Sequence, residues 1–491
     1  MQGYKQYQEK LFVSFQLSSR VPEDNFYRRL KQELDLSFLR NLTKDYYGSE
    51  GQKSIDPIVF FKLMLIGYIE NLCSDRKIIE NASMRMDMLF FLDYDIDEVL
   101  PWHSTLSRTR KLYGDDLFLE VFRKVLSLCV VKGMVDGRIQ AIDSALIKAN
   151  ASMDSLVEKT IEEDTSDYLE QLKINEEGVE KKEKKKKRQT SLSNSDFMSP
   201  VDPDARISKK KHHPLAFNYR GHISVDSASH VICGAMADFA DKRDAQSLPS
   251  VVEQTKGNLS LQAIILKEVL ADTNYSSGDV LKYLEENNIN GIIPCHGGYK
   301  PDKEGFYYFP DGDYYQCSQG VKLLFKGIRK RSDGDKYTRL YWTSRTDCKN
   351  CPKKEACIGK KGVKTIGDTT DKPYYDRMHE RVNTTTGAKM IKVRAATVEP
   401  VLGTLLHFVG MRKVYTKGID LANKHVLLAT TAYNIKKLLK FKAICSIAKS
   451  MVNPFFEEIN VIYAIFNAKL EQFDRMIIKL FKFRVEMENV R

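Results

Sequence analysis

The 491-residue chain contains no apolar run long enough to cross a bilayer. Its best candidate, residues 59–69, falls short of the roughly 20 apolar residues a spanning helix needs and carries Lys62 within it. The amino terminus also lacks the charged-then-apolar layout of a secretory signal, so the expected compartment is the cytoplasm. Cysteine is sparse, with nine in the whole chain, four of them clustered and five scattered. That excludes a disulfide framework and leaves buried thiols with room for one metal site. What the chain does have is positive charge, a net +12. Such an excess suits a polyanionic partner, although solvated lysines give the same total. The length predicts two or three domains with ample apolar residues for their cores.

Residues 1–135 read as an all-helical amino-terminal domain. Leu30, Leu34, Phe38 and Leu39 recur at helical spacing, and 57–71 and 117–131 continue the pattern. Within this block 75–80 begins one helix and 101–111 another. With Ser104 as the expected cap, Arg108, Arg110 and Lys111 fall in the turns that follow. The layout fits a helix-turn-helix, and it fits equally a helical bundle with one basic surface helix. Residues 152–213 change character: an acidic helical pattern at 157–172 leads to a lysine-rich run at 181–188 and then to Ser- and Asn-rich sequence. Such a segment supplies little core and is expected to be a charged insertion whose basic arm is either a solvated tether or a phosphate contact. Residues 441–491 combine apolar positions at partly helical spacing with many lysines, the pattern of a docked tail or a dimerisation helix.

Between these segments lies strand-rich sequence. The run 138–145 is short and apolar with Asp143 in its middle. Burying that carboxylate unpaired would cost roughly several kcal/mol, so it needs a neighbouring cation, a strand edge or a metal. A second carboxylate, Asp272, ends the run 264–272, and a third, Glu399, stands at 396–400 at the opening of a helical pattern. Three carboxylates at separate element ends suggest a metal site. A hairpin at 219–225 and 230–237 precedes a helix near 245–255, the strand to Asp272, a helix at 277–287 and a strand at 291–294. Strand, helix, strand with short loops implies parallel pairing, with Asp272 at the crevice beyond the first strand. Residues 295–390 form a Tyr-, Gly- and Lys-rich interruption with strand-like pieces at 306–309, 323–325 and 338–342. It carries Cys317 and the C-x2-C-x5-C run of Cys348, Cys351 and Cys357, four thiols that would either close a structural, tetrahedral zinc site or stay unligated in a small β-subdomain.

Segments 34–39, Asp56-Pro57, 101–107, 142–150, 271–277, the Cys348 to Cys357 spacing, 397–405 and 434–438 together resemble bacterial insertion-sequence transposases of the DDE class. The resemblance covers roughly residues 20 to 440. It implies an α/β catalytic core, an RNase H-like mixed sheet with flanking helices, preceded by the all-α domain 1–135 and interrupted by the small Cys-containing β-rich insertion 295–390. The core would occupy 136–294, resume over 391–440 and be followed by the helical tail 441–491. Asp143 would lie on its first strand, Asp272 just after the fourth and Glu399 on a helix packed across the sheet. By the same resemblance these acids would hold two magnesium or manganese ions about 3.5 to 4 Å apart for in-line displacement at phosphorus. Hard oxygen ligands suit those ions and not zinc. Water would first free a 3′-hydroxyl at the element's end, and that hydroxyl would then attack target DNA.

The implied partners are double-stranded DNA, both as the element's terminal inverted repeats and as target, and further copies of the chain; the implied location is the nucleoid. Arg108, Arg110, Lys111, Arg394, Lys436 and Lys437 are the expected DNA contacts. Some relatives place Y-x2-R-x3-E-x6-K around the glutamate. Here those positions hold Lys392, Ala395 and Leu406, with Arg394 one residue early and His407 a poor replacement for an always-charged lysine. Two other readings stand beside the transposase: a catalytically decayed or repurposed sequence-specific DNA-binding protein, and a non-specific nuclease of the same fold. Paired inverted repeats flanking the reading frame would favour mobility over both.

Overall fold

A computed structural model describes residues 16–441 except 49, 51–53, 73, 160–191, 210–213 and 331–336, and also Lys5 and Ser14. The lysine-rich run 181–188, most of the charged insertion and all of the tail but Phe441 lie outside the described residues.

Among the described residues, the amino-terminal block holds eight α-helices: α1 (Leu17–Arg20), α2 (Phe26–Glu33), α3 (Leu39–Thr43), α4 (Pro57–Ile69), α5 (Asp75–Met84), α6 (Met86–Leu92), α7 (His103–Leu112) and α8 (Asp115–Val131). Several starts are written in the sequence. Asn25 accepts from the backbone N–H groups of Tyr27 and Arg28, Asp56 from that of Ile58 with Pro57 in the first helical position, and Ser74 from that of Lys77. α4 is apolar nearly all round and is buried accordingly, its one cation, Lys62, donating to Asp93 at 2.5 Å. Ser104 is not the cap expected of it. α7 begins at His103 behind Trp102 with no side-chain cap, and the Ser104 hydroxyl instead accepts from Arg108 at 3.1 Å. Nor are α5 and α7 consecutive, because α6 lies between them.

Next come β1 (Ile139–Lys148), the short pair β2 (Val157–Glu158) and β3 (Phe197–Met198), β4 (Arg206–Ser208), β5 (Ala216–Asp226), β6 (Ile232–Phe239), β7 (Glu268–Leu270) and β8 (Asn290–Ile292). Six of these strands build a mixed sheet in the order β4-β5-β1-β7-β8, with β6 also on β5. β1 runs antiparallel to β5 and parallel to β7, and β7 runs parallel to β8. β5 and β6 are the expected hairpin. The Gly278–Glu286 helix, capped by the Ser277 side chain, is the expected crossover from β7 to β8. Edge strand β6 is covered by amides: Gln254, Asn423 and Asn434 accept from the backbone N–H groups of Ala235, Ala237 and Ile232, and Asn434 also donates to the Ile232 carbonyl.

The Thr385–Phe408 helix packs against β1, β5, β7 and β8, and the Ile419–Lys440 helix is buried along most of its length. One apolar cluster extends from Tyr27 to Leu439 and takes in the amino-terminal helices and the mixed sheet alike. Between β8 and Thr385 stands a separate antiparallel sheet of β9 (Phe306–Phe309), β10 (Tyr314–Cys317), β11 (Lys322–Lys330), β12 (Tyr337–Trp342) and β13 (Thr365–Thr369), ordered β13-β12-β11-β10-β9. It has a small core of its own, made by Phe306, Tyr315, Leu323, Tyr341 and Ile366. The architecture is mixed α/β with a helical amino-terminal region. No helix among the described residues is long and apolar enough to cross a membrane.

Candidate active site

Asp143 sits at the centre of β1, opposite Ile223 of β5. Its Oδ1 accepts from the backbone N–H of Ser144 at 2.7 Å, and its Oδ2 accepts from Arg394 Nη1 at 3.0 Å. Arg394 lies on the Thr385–Phe408 helix, and its other guanidinium nitrogen stands 3.6 Å from Glu399 Oε1. Asp272 follows β7 and caps a single 3-10 turn, with its two oxygens accepting from the backbone and side-chain nitrogens of Asn274 at 3.0 Å each. Burial pushes the Asp143 carboxyl up to about 6, and the negative charge of Asp272 pushes the same way, against the Ser144 N–H and Arg394. Burial also raises Asp272, with Asp244 adding to the rise and Arg394 opposing it. The three acids expected from the sequence therefore share one electrostatic environment, with Arg394 as their common counter-ion.

The segment 396–400 does not open a helix as its pattern had suggested. It lies deep in the Thr385–Phe408 helix, which begins where the Thr384 hydroxyl accepts from the Gly387 N–H at 2.9 Å. Pro400 is tolerated inside the helix although it cannot donate to the Ala396 carbonyl. The Glu399 side chain remains largely exposed, whereas Asp143 is mostly buried.

Sequence reasoning missed a polar group beside these acids. Asp244, buried at the start of the Asp244–Ser260 helix, accepts from the Ser144 hydroxyl and from Arg220 Nη1, each at 2.7 Å. His222 faces Ser144 across the β1–β5 ladder and stands 3.3 Å from the Tyr275 hydroxyl. Burial lowers His222 to about 4. The available signal was an acid opening the helix right after the hairpin.

The expected DNA contacts fare differently. Arg108 and Lys111 are exposed on α7. Arg110 is engaged inside: it donates to both Asp75 oxygens, at 3.1 and 2.5 Å, and ties α7 to α5. Lys436 and Lys437 are only partly exposed, and burial lowers the Lys437 amine. A cleft of about 760 Å3, lined by parts of α4, α5 and α7 on one side and by Lys148, His407, Arg412 and Lys413 on the other, adds basic residues that the motifs had not singled out.

No three His, Cys, Asp or Glu side chains among the described residues are drawn close enough to hold a metal ion as they stand. For the acids a cation already stands among them, and the donor set is hard oxygen on partly buried carboxylates, which fits magnesium or manganese. The cysteines fit a closed zinc site less well. Cys317 and Cys357 pack against the small β-sheet core, and Cys348 reaches the Thr343 hydroxyl at 3.5 Å. The four-sulfur site expected from Cys317, Cys348, Cys351 and Cys357 is not assembled in this arrangement.

Two protein families match the chain: a Transposase domain (DUF772) over residues 15–112 and a Transposase DDE domain over residues 316–439. The second segment includes Arg394, Glu399 and the four clustered cysteines; neither includes Asp143 or Asp272. Among solved structures, the cryo-EM structure of a piggyBac transposase synaptic complex with hairpin DNA aligns over 84% of this chain and 73% of its own, at 10% identity and a TM-score of 0.28. No curated protein matches.

Proposed function

We propose, from the premise that this chain is a transposase of the DDE class, that Asp143, Asp272 and Glu399 are its catalytic acids. They would serve strand cleavage at the ends of an insertion sequence and transfer of the freed 3′-hydroxyl to target DNA. The observation that carries this reading is the Arg394 guanidinium held between Asp143 and Glu399 while Asp272 acts on Asp143 from a third element. The sheet order, with β5 antiparallel and β7 parallel to central β1, supports an RNase H-like core. The position of β9–β13 supports residues 295–390 as an insertion between Asp272 and Glu399.

Bound magnesium or manganese would be held by the three carboxylates and would supply Lewis-acid activation of the attacking oxygen and stabilisation of the leaving one. The chain's own residues orient the rest. The Ser144 N–H fixes Asp143, and Asn274 fixes both oxygens of Asp272. Arg394, once its carboxylates are otherwise neutralised, presents a planar donor fork to a phosphate of the DNA end. The helical block 1–135 is the DNA-recognition domain in this reading, with Arg108 and Lys111 as exposed cations on α7 and Arg110 as an internal tie. Lys148, Arg412 and Lys413 follow the duplex backbone along the cleft. Joining two ends calls for more than one copy of the chain, working in the cytoplasm on nucleoid DNA. Zinc has no part in the chemistry.

The test is incubation of the protein with linear duplexes carrying the sequences that flank its reading frame. The expected outcome is magnesium- or manganese-dependent cleavage at defined ends, with 3′-hydroxyl products that join to a second duplex, and loss of all product with a chelator. Specific binding to those ends without cleavage under any divalent metal would favour the repurposed DNA-binding protein instead.

A further inference from the structure

The β9–β13 sheet has two faces. Leu323, Tyr315, Tyr341, Phe306 and Ile366 fill its small core. Because side chains alternate along a strand, their neighbours face away from that core. The register sets five of these neighbours side by side in one row across all five strands: Thr365, Trp342, Leu324, Tyr314 and Phe309. The row spans roughly 19 Å at about 4.8 Å per strand. Trp342, Leu324 and Phe309 are exposed, as is Tyr307 beside them. The Phe309 and Tyr314 rings lie parallel with centroids 5.1 Å apart, and Lys322 Nζ stands 4.6 Å over the Tyr314 ring. An apolar patch of this kind on a folded surface marks an interaction site.

Charge selects the partner. β11 carries exposed Lys322, Lys326 and Arg329. The only acid on the five strands, Asp368, is buried against the Tyr315 hydroxyl and Lys372. A second copy docked on this face through the same surface would bring like charge against like. A polyanion would be attracted, and one with unpaired bases would stack them on the aromatic row, which a duplex cannot do because its base faces are covered. We propose that the outer face of this sheet binds single-stranded nucleic acid, with Trp342, Tyr314 and Phe309 as stacking platform and Lys322, Lys326 and Arg329 as phosphate contacts. The proposal does not depend on the three acids, so it stands or falls separately from the cleavage chemistry.

Trp342 is one of only two tryptophans, so in a Trp102→Phe protein its fluorescence reports this face directly. Titration of the full chain with an oligodeoxythymidine of about 15 nucleotides in metal-free buffer is expected to quench Trp342 saturably, and a duplex of the same length to quench it far less. By anisotropy of a labelled oligomer, Phe309→Ser with Leu324→Ser is expected to weaken binding about tenfold or more, with an unchanged far-ultraviolet spectrum confirming the fold. Lys322→Gln with Lys326→Gln is expected to weaken it and to flatten its salt dependence by about 0.7 per lost phosphate contact. The absence of quenching by single strands would overturn the proposal. So would equal quenching by duplex, or self-association of the chain that Leu324→Ser abolishes, which would assign the face to a second copy.

Discussion

Burial raises the Asp143 carboxyl to about 6, and Arg394, placed 251 residues further along the chain, meets it at 3.0 Å. The need for a partner was legible in the sequence, since a carboxylate inside an apolar strand cannot stay alone. The partner's identity was not, because an ion pair over that separation leaves no local pattern; the same holds for Asp244 and its contact with Ser144. Removing Arg394 leaves the mostly buried Asp143 carboxylate without its counter-ion. Arg394→Gln is expected to destabilise the metal-free protein by roughly 2–4 kcal/mol, and manganese should restore most of that loss. Thermal unfolding of both proteins with and without manganese measures it; an unchanged midpoint would contradict the counter-ion role. A second residue, His425, contributes to the acid sensitivity of the fold. His425 receives or gives a hydrogen bond with the Tyr68 hydroxyl at 2.7 Å, and burial, helped by Arg110, lowers it to about 4. The unfolded chain binds that proton near 6.5, so the contribution is fully present above about 6.5 and is lost as pH falls towards 4. The loss amounts to about 3 kcal/mol. The unfolding midpoint should drop across that window, and His425→Gln should flatten part of the drop.

Elements were legible where a local rule governs them. The Asp56-Pro57 and Ser277 starts, the β5–β6 hairpin and the β7–helix–β8 crossover all follow from caps, turns and periodicity. Where tertiary packing overrode the local rule, the reading slipped. Ser104 lies inside α7, and Pro400 lies in the middle of a long helix that packing against four strands holds together. Of the four clustered thiols, Cys317 and Cys357 pack against the small β-sheet core. Asn434 shows a motif residue whose work is structural: both ends of its amide bond the backbone of Ile232 and cover the free edge of β6. Asn434→Ala would leave that buried N–H and carbonyl without partners, at roughly 1–3 kcal/mol each. Chemical denaturation should show a loss of about 2–6 kcal/mol for the two groups together, with faster amide exchange at Ile232; a variant as stable as the wild type would show that the edge is satisfied otherwise.

At the scale of the whole molecule, the amino-terminal helices and the mixed sheet share one apolar core, and the basic cleft opens where they meet. That meeting was not legible in the sequence, since Lys148, Arg412 and Lys413 come from segments more than 200 residues apart and only the fold places β1's end beside 412–414. Two kinds of contact should fail differently. Arg412→Gln with Lys413→Gln is expected to weaken binding to all duplexes alike and to flatten the salt dependence by about 0.9 per lost contact. Arg108→Ala should instead lower the ratio of specific to random affinity, by about 1–3 kcal/mol if it reads a base. A salt series of binding isotherms for end and random duplex separates them. In the proposed function Asp143, Asp272 and Glu399 form one catalytic site. It is tested most directly by manganese-dependent cleavage of a labelled end by Asp143→Asn, Asp272→Asn and Glu399→Gln, each with end binding measured in parallel. Each variant is expected to cleave about a hundredfold slower or worse while binding the end nearly as tightly as the wild type; any one of the three cutting at the wild-type rate would show that its residue is not part of the site.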